Sequence, residues 1–349
     1  MRPLGSLQMN AFPVFFSFDE GYVTPAAVTF ESLLSSARPG VFYELYVLHE
    51  GISVASQQRL TALVGRHGNG RLTFISVAGV LESAGIVFDN RSFCLGHDKS
   101  PFTKETLLRC LPTLVAEFDQ YDRILYSDVD ICVVDDISDI FSTDLDGLYM
   151  AGCRIPAFLA EQTAHFPSEL RERYVAGGIW LMNLRQLRLD GMGEKILGLM
   201  RNPPFRLIWN DQDVMNLACD GKVAFLSYRY CSIPMWRSVL EKADYVDDRY
   251  PGDELRDAMY RPKIVHYAST KPWKGACEGE GLWHFWRRRS GFPPIGPEAE
   301  PGPNVRAYLL KFIPVPGFFI RSVVREGEMT IKICGIALRI KLRRIAADR

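Results

Sequence analysis

Residues 123–130 read Arg123-Ile124-Leu125-Tyr126-Ser127-Asp128-Val129-Asp130. Arg123 to Tyr126 has the character of a buried strand, and it runs directly into two carboxylates at i and i+2. On extended backbone such residues point the same way, so Asp128 and Asp130 can share one hard divalent cation. In open α/β sheets ligands bind beyond the carboxyl ends of the strands, and the acidic pair falls at such an end. Taken alone, the pair reads more readily as no more than a solvated strand end and helix cap with Asp135 and Asp136.

The segments on either side give this strand a sheet to join. Val14 to Phe18, Glu44 to Leu48 and Leu72 to Val77 read as strands, while Pro25 to Ala37 and Ser53 to His67 read as helices. That alternation predicts a parallel sheet covered by helices. Thr103 to Phe118 is expected to be helical. Downstream, Tyr174 to Leu184 is apolar with paired glycines, Asn210 to Ala218 reads as a short helix, and Lys263 to Tyr267 is a strand leading to Lys271-Pro272-Trp273. Gly177-Gly178 allows close backbone approach to a ligand, or marks a bulge. Gly291 to Pro303 is rich in proline, glycine and glutamate, the mark of a domain edge.

The 349 residues are 47% hydrophobic and 23% charged, which excludes disordered and low-complexity classes. Lys plus Arg and Asp plus Glu both number 41, so there is no global basic field and no nucleic-acid partner is expected. The balance hides an asymmetry. From Pro303 onward there are ten basic and three acidic residues, a net of +7, leaving about −7 on residues 1–302. In that tail Ile331 to Leu342 alternates around Gly335 and reads as a strand, with Arg339, Lys341 and Arg343 on one face and Leu338, Ile340 and Leu342 on the other. Phe312, Phe318, Phe319 and Ile320 add apolar surface. The eight cysteines show no CxxC and read as buried thiols of a reducing compartment. No 18 uncharged apolar residues run together and the start of the chain does not read as a signal peptide, so a cytoplasmic address is expected.

Other residues carry chemistry that fits the acidic pair. His266, at a strand end, offers imidazole as a third ligand beside carboxylates, and Lys271 is a point charge suited to phosphate oxygens. Asp19, Gly21 and Tyr22 follow the first strand, where an aromatic ring can stack on a base and a carboxylate can accept a base N–H. Asp211-Gln212-Asp213 opens a helix, where carboxylates often serve as caps, while an amide between two carboxylates can orient a polyhydroxylated substrate. Each of these features also has an ordinary structural reading.

Their order in the chain is more specific than any one of them. Phe16 to Tyr22, Thr103 to Arg109, Ile124 to Asp130, Tyr174 to Leu184, Asn210 to Asp213, and His266-Tyr267 to Lys271-Pro272-Trp273 together resemble glycosyltransferase family 8, over roughly residues 12–290. The family includes bacterial lipopolysaccharide galactosyl- and glucosyltransferases and glycogenin. The resemblance implies a GT-A fold, a Rossmann-like mixed sheet flanked by helices, with a UDP-sugar donor, Mn²⁺ or Mg²⁺, and retention of anomeric configuration. By position, Asp19 and Tyr22 resemble the uracil contacts, Asp128, Asp130 and His266 the metal ligands, Lys271 the diphosphate clamp and Arg109 a donor contact. Asp211 and Gln212 resemble the residues beside the transferred sugar. The chain departs from the family in having Ala176-Gly177-Gly178 where Asn-Ala-Gly or Asn-Ser-Gly is usual, so one sugar-contacting amide is missing. The spacings from His266 to Lys271 and from Arg109 to Pro112 are each one residue short.

The resulting expectation is a retaining hexosyltransferase in residues 1–295, acting on a cell-surface glycan or lipid-linked saccharide. Residues 296–349 are expected to form a basic, apolar extension that holds the enzyme peripherally at an anionic inner-membrane surface. A sugar-nucleotide pyrophosphorylase is the rival enzyme, although the Gly-rich basic loop it needs after the first strand is absent. A non-catalytic membrane scaffold with a degenerate transferase domain is the non-enzymatic rival.

Overall fold

The computed structural model describes residues 10–86, 104–240 and 247–297, together with three strands between residues 320 and 341. The first strand, β1 (Asn10–Ser17), carries the run Val14-Phe15-Phe16 because both of its faces are covered. Val14 and Phe16 enter one core with Phe30 and Leu33 of α1 (Val23–Ser36), while Phe15 enters the opposite core with Phe118 and Tyr126. β2 (Val41–His49) and β3 (Gly70–Ser76) lie parallel to one side of β1, and β4 (Arg123–Ser127) lies parallel on the other. Between β2 and β3 runs α2 (Val54–Gly65), whose first turn is capped by the Ser53 hydroxyl accepting from the Ser56 N–H at 3.2 Å.

Beyond β4 the strand direction changes. β7 (Val175–Asn183) is antiparallel to β4 and to β6 (Met150–Arg154), and β8 (Val223–Leu226) closes the edge parallel to β6, giving the order β3-β2-β1-β4-β7-β6-β8. The sheet is therefore mixed, with its parallel part where the sequence predicts one. The order reverses between β1 and β4, so the loops leaving their carboxyl ends lie side by side.

A two-stranded ladder completes that end of the sheet. β5 (Ile131–Val133) follows the acidic pair directly and pairs antiparallel with β9 (Ile264–His266), Ile131 opposite His266. The Tyr267 N–H extends the ladder to the Asp130 carbonyl at 2.9 Å. Trp283 and Trp286 of the helix Glu280–Ser290 cover the ladder with Val28, Cys132 and Val265.

Two expectations differ from the structure. The helix expected from Thr103 to Phe118 is a single α-turn, Glu105–Leu108, followed by 3-10 turns at Pro112–Leu114 and Ala116–Phe118. Pro112 lacks an N–H and its ring opposes the carbonyl four residues earlier, so the helix stops before it; Thr103 lies outside the described residues. The single strand expected from Ile331 to Leu342 is instead part of an antiparallel sheet of β10 (Ile320–Arg325), β11 (Glu328–Ile333) and β12 (Ile336–Lys341). The two residues between β11 and β12, one of them glycine, have hairpin spacing. In register, Glu328 stands opposite Arg325 and Lys341, Met329 opposite Val324 and Ile340, Thr330 opposite Val323 and Arg339, and Ile331 opposite Ser322 and Leu338. Phe312, Phe318, Phe319, Leu342 and Arg343 lie outside the described residues.

Candidate active site

After β1 the chain makes one 3-10 turn, Glu20–Tyr22, before α1 begins. The Glu20 carboxylate reaches across to α2, accepting from the Ser53 N–H at 2.8 Å and the Ser56 hydroxyl at 2.5 Å, which ties this loop to its neighbour. Tyr22 is half-buried and meets the Trp273 ring edge-on at 5.8 Å, and burial raises its phenol above the ordinary value. Asp19 Oδ1 is buried and takes no hydrogen bond among the described residues, leaving an acceptor beside that ring.

The three sequence-predicted metal ligands converge at the end of β4. Asp128, Asp130 and His266 each offer one ligand atom within 4.8 Å of the others. The convergence follows from local structure: Asp128 and Asp130 leave β4 together, and the β5–β9 ladder carries His266 back to them. His266 Nε2 lies 3.2 Å from Asp130 Oδ1 and 3.5 Å from Asp128 Oδ2. Neither Nε2 nor Asp130 Oδ1 is taken up by a hydrogen bond among the described residues. The remaining oxygens are engaged: Asp128 Oδ1 accepts from the Tyr126 hydroxyl at 2.5 Å and forms an ion pair with Arg109 at 2.9 Å, and Asp130 Oδ2 accepts from the Lys271 ammonium. Two carboxylate oxygens and one imidazole nitrogen, pointed inward and otherwise unclaimed, form a donor set that fits Mn²⁺ or Mg²⁺.

Charge is concentrated here at low solvent access. Burial works against ionisation of Asp130, but Lys271 and His266 outweigh it and hold the carboxyl well below its ordinary range. Burial likewise opposes charge on His266, and Asp130 and Asp128 reverse that, raising the imidazole well above its usual value. Lys271 also donates to the Tyr267 carbonyl at 2.8 Å, so the short connection from His266 folds its ammonium back onto the acidic pair.

The paired glycines of β7 are both close approaches and part of an irregularity. Register with β6 shifts between Gly152, opposite Trp180, and Arg154, opposite Val175. A Cβ on Gly178 would lie 2.3 Å from His266 Cε1, so the imidazole packs directly on bare backbone. A Cβ on Gly177 would lie 3.0 Å from Gln212 Oε1, which accepts the Gly177 N–H at 2.6 Å. The other end of that amide, Nε2, donates to the Tyr174 hydroxyl at 3.0 Å.

Asp211 and Gln212 open the helix Asn210–Cys219, entered through Asn210 at φ +39°. Asp211 lies 3.3 Å from Arg109, and burial pushes its carboxyl up to about 7 against the pull of that guanidinium. Arg109 is itself buried, bridging Asp128 and Asp211 over the Tyr126 ring at 4.6 Å. Asp213 serves the helix start, accepting from the N–H groups of Ile208 and Trp209 at 2.8 and 2.9 Å, from Tyr174 at 2.5 Å, and pairing with His165 at 2.9 Å.

Several contributors carry no sequence signal. Tyr126 and Tyr174 read as ordinary core aromatics, His165 has no charged neighbour in sequence, and Cys231 is far from His266 in the chain. Cys231 Sγ nevertheless lies 3.6 Å from His266 Nδ1. Only the tertiary pairing of distant segments reveals them.

The model of the family described as Glycosyl transferase family 8 matches residues 13–277. Among curated proteins, the chain is 28% identical over 155 residues to the lipopolysaccharide 1,2-glucosyltransferase of Escherichia coli K12, 44% of each chain. It is 25% identical over 132 residues to a putative glycosyltransferase of Haemophilus influenzae, 37% of this chain and 40% of that protein. General stress protein A of Bacillus subtilis is 23% identical over 259 residues, 73% of this chain and 85% of the relative. The chain thus spans less than half the length of the first curated relatives it matches. Among solved structures, the galactosyltransferase LgtC, in complex with donor and acceptor sugar analogs, superposes with a TM-score of 0.62 at 21% identity, covering 81% of this chain and 98% of LgtC. The bifunctional WbbM enzyme gives 0.59 at 21% identity, over 77% of this chain and 48% of its own. The fold is that of GT-A glycosyltransferases.

Proposed function

The chain belongs to glycosyltransferase family 8, and on that premise we propose that it is a retaining hexosyltransferase moving a sugar from UDP to a hydroxyl of a cell-surface glycan or lipid-linked saccharide. The observation that carries this reading is the convergence of Asp128, Asp130 and His266, with Lys271 beside them, at the sheet end that also bears Asp19 and Tyr22. The Tyr22 ring is offered to the base and the free Asp19 oxygen to a base N–H. Asp128, Asp130 and His266 would hold a divalent cation, Mn²⁺ or Mg²⁺, which would supply Lewis-acid neutralisation of the departing diphosphate. Lys271 adds a point charge to the same oxygens, and Arg109 fixes the spacing of Asp128 and Asp211.

Asp211 and Gln212 lie beside the transferred sugar in this reading. No carboxylate is an obvious covalent nucleophile: Asp211 is engaged by Arg109, and both ends of the Gln212 amide are bonded. We therefore favour same-face attack, with the departing phosphate oxygen taking the acceptor proton, over double displacement through Asp211 or Gln212. Residues 296–349 are read as a basic extension that holds the enzyme peripherally on an anionic inner-membrane surface, supported by the net charge of +7 from Pro303 onward and by the alternation of Leu338, Ile340 and Leu342 with Arg339, Lys341 and Arg343 in the sequence. Among the described residues no helix is long and apolar enough to cross a membrane.

UDP release from a panel of UDP-sugars, with and without Mn²⁺, tests the reading. Release from a UDP-hexose that depends on the cation is expected. No release from any UDP-sugar, or equal release after chelation, would overturn it.

A further inference from the structure

The imidazole of His266 has two nitrogens, and a neutral ring has one lone pair to offer a cation. Which nitrogen keeps it is set by the partner of the other. Nε2 faces Asp128 and Asp130, whereas Nδ1 faces the sulfur of Cys231 at 3.6 Å. On that side the strand backbone closes the space, since a Cβ on Gly178 would stand 2.6 Å from Nδ1. Cys231 is 3% exposed and held from both sides: its N–H donates to the Tyr228 carbonyl at 2.9 Å, and the next residue is strapped to β9 by Ser232 N–H to Ile264 O at 3.1 Å and His266 N–H to Ser232 O at 2.8 Å. Thiol and imidazole are thus fixed against each other by backbone.

We infer that Cys231 is a positioning residue for the metal-binding histidine: its sulfur accepts the Nδ1–H of His266, fixes the ring's tautomer and leaves the Nε2 lone pair aimed between Asp128 and Asp130. The opposite arrangement, with the thiol donating to Nδ1, would place a hydrogen on Nε2 facing two carboxylates and remove the third ligand. The Cys153 thiol beside this site donates to the Ser227 carbonyl at 3.4 Å. Carboxylate, carbonyl or water usually holds a ligating histidine, and here a thiol does so. The inference rests on the metal reading above.

The test measures Mn²⁺ binding to the full chain by loss of the free-ion EPR signal, with no turnover involved. Cys231→Ala removes the acceptor and is expected to weaken Mn²⁺ by roughly tenfold or more, the usual cost of losing a ligand's supporting hydrogen bond. Cys231→Ser, whose hydroxyl can accept, should bind within about threefold of the unsubstituted protein. Wild-type affinity in Cys231→Ala, or equal loss in both variants, would overturn the inference. A second measurement needs no variant: nitrogen-15 NMR of the Mg²⁺-loaded protein should find the His266 proton on Nδ1, and a proton on Nε2 would overturn it. Failure of the unsubstituted protein to bind Mn²⁺ would instead remove the metal reading and this inference together. Binding that Asp130→Asn abolishes but Cys231→Ala leaves intact would remove the inference alone.

Discussion

Asp130 and Asp211 share one buried network yet are driven in opposite directions. Asp130 has Lys271 and His266 against it and stays ionised, while burial outweighs the Arg109 that Asp211 shares with Asp128 and pushes its carboxyl up to about 7. The difference separates two predictions. Asp128→Asn and Asp130→Asn should each abolish Mn²⁺-dependent turnover, a loss of roughly a thousandfold or more, with the far-UV spectrum unchanged. Near-normal turnover in both would remove the metal assignment. For Asp211, the unfolded chain ionises near 3.9 and the folded chain near 7, so between these values the folded state holds the extra proton and stability falls as pH rises. Asp130 contributes below that window, because its stabilisation is complete above the unfolded value and fades only on acidification. In urea titrations from about pH 4 to 7, Asp211→Asn should therefore gain stability relative to the unsubstituted protein, up to roughly 4 kcal/mol by pH 7. A difference that is flat with pH would mean Asp211 is not held neutral by its surroundings.

Among the elements, β7 does the most with the least side chain. Gly178 lends its backbone to His266 and Gly177 lends its own to Gln212, so the two glycines serve two different side chains along one strand. Gly178→Ala should weaken Mn²⁺ binding at least tenfold by displacing the imidazole, whereas Gly177→Ala should spare Mn²⁺ and lower kcat by disturbing the Gln212 amide. Reversed outcomes, tested by EPR titration and UDP release, would contradict these assignments. The sequence offered these glycines as either a bulge or a close approach, and the strand holds both. The alternation of strands and helices before residue 130 was legible because burial on two faces leaves long apolar runs. The acidic pair and His266 were legible because each terminates such a run. The break at Pro112 has a local cause, yet the apolar spacing of Thr103 to Phe118 reads as one helix across it. The duties of Tyr174, His165 and Cys231 were not legible at all, since nothing near them in the chain reports which distant backbone they will touch.

For the whole molecule, the proposed membrane contact of residues 296–349 rests on their basic charge. Arg339→Glu with Lys341→Glu should lower co-sedimentation with anionic vesicles at least tenfold, at about 1 kcal/mol for each basic residue lost from an anionic surface, and leave UDP release from free donor unchanged. Equal binding of both proteins, or binding insensitive to salt, would argue against an electrostatic contact. The β5–β9 ladder sets a different kind of limit. It joins Asp130 and His266 through three residue pairs that lie far apart in the chain. Long-range pairings of this sort close late, after the entropy of the intervening loop has been spent. During synthesis the acidic pair emerges with most of the chain behind it still unmade, and its imidazole arrives only when β9 does. On the proposed metal reading, cation capture would follow the closing of this ladder, and in refolding experiments recovery of Mn²⁺ affinity should trail recovery of helix signal.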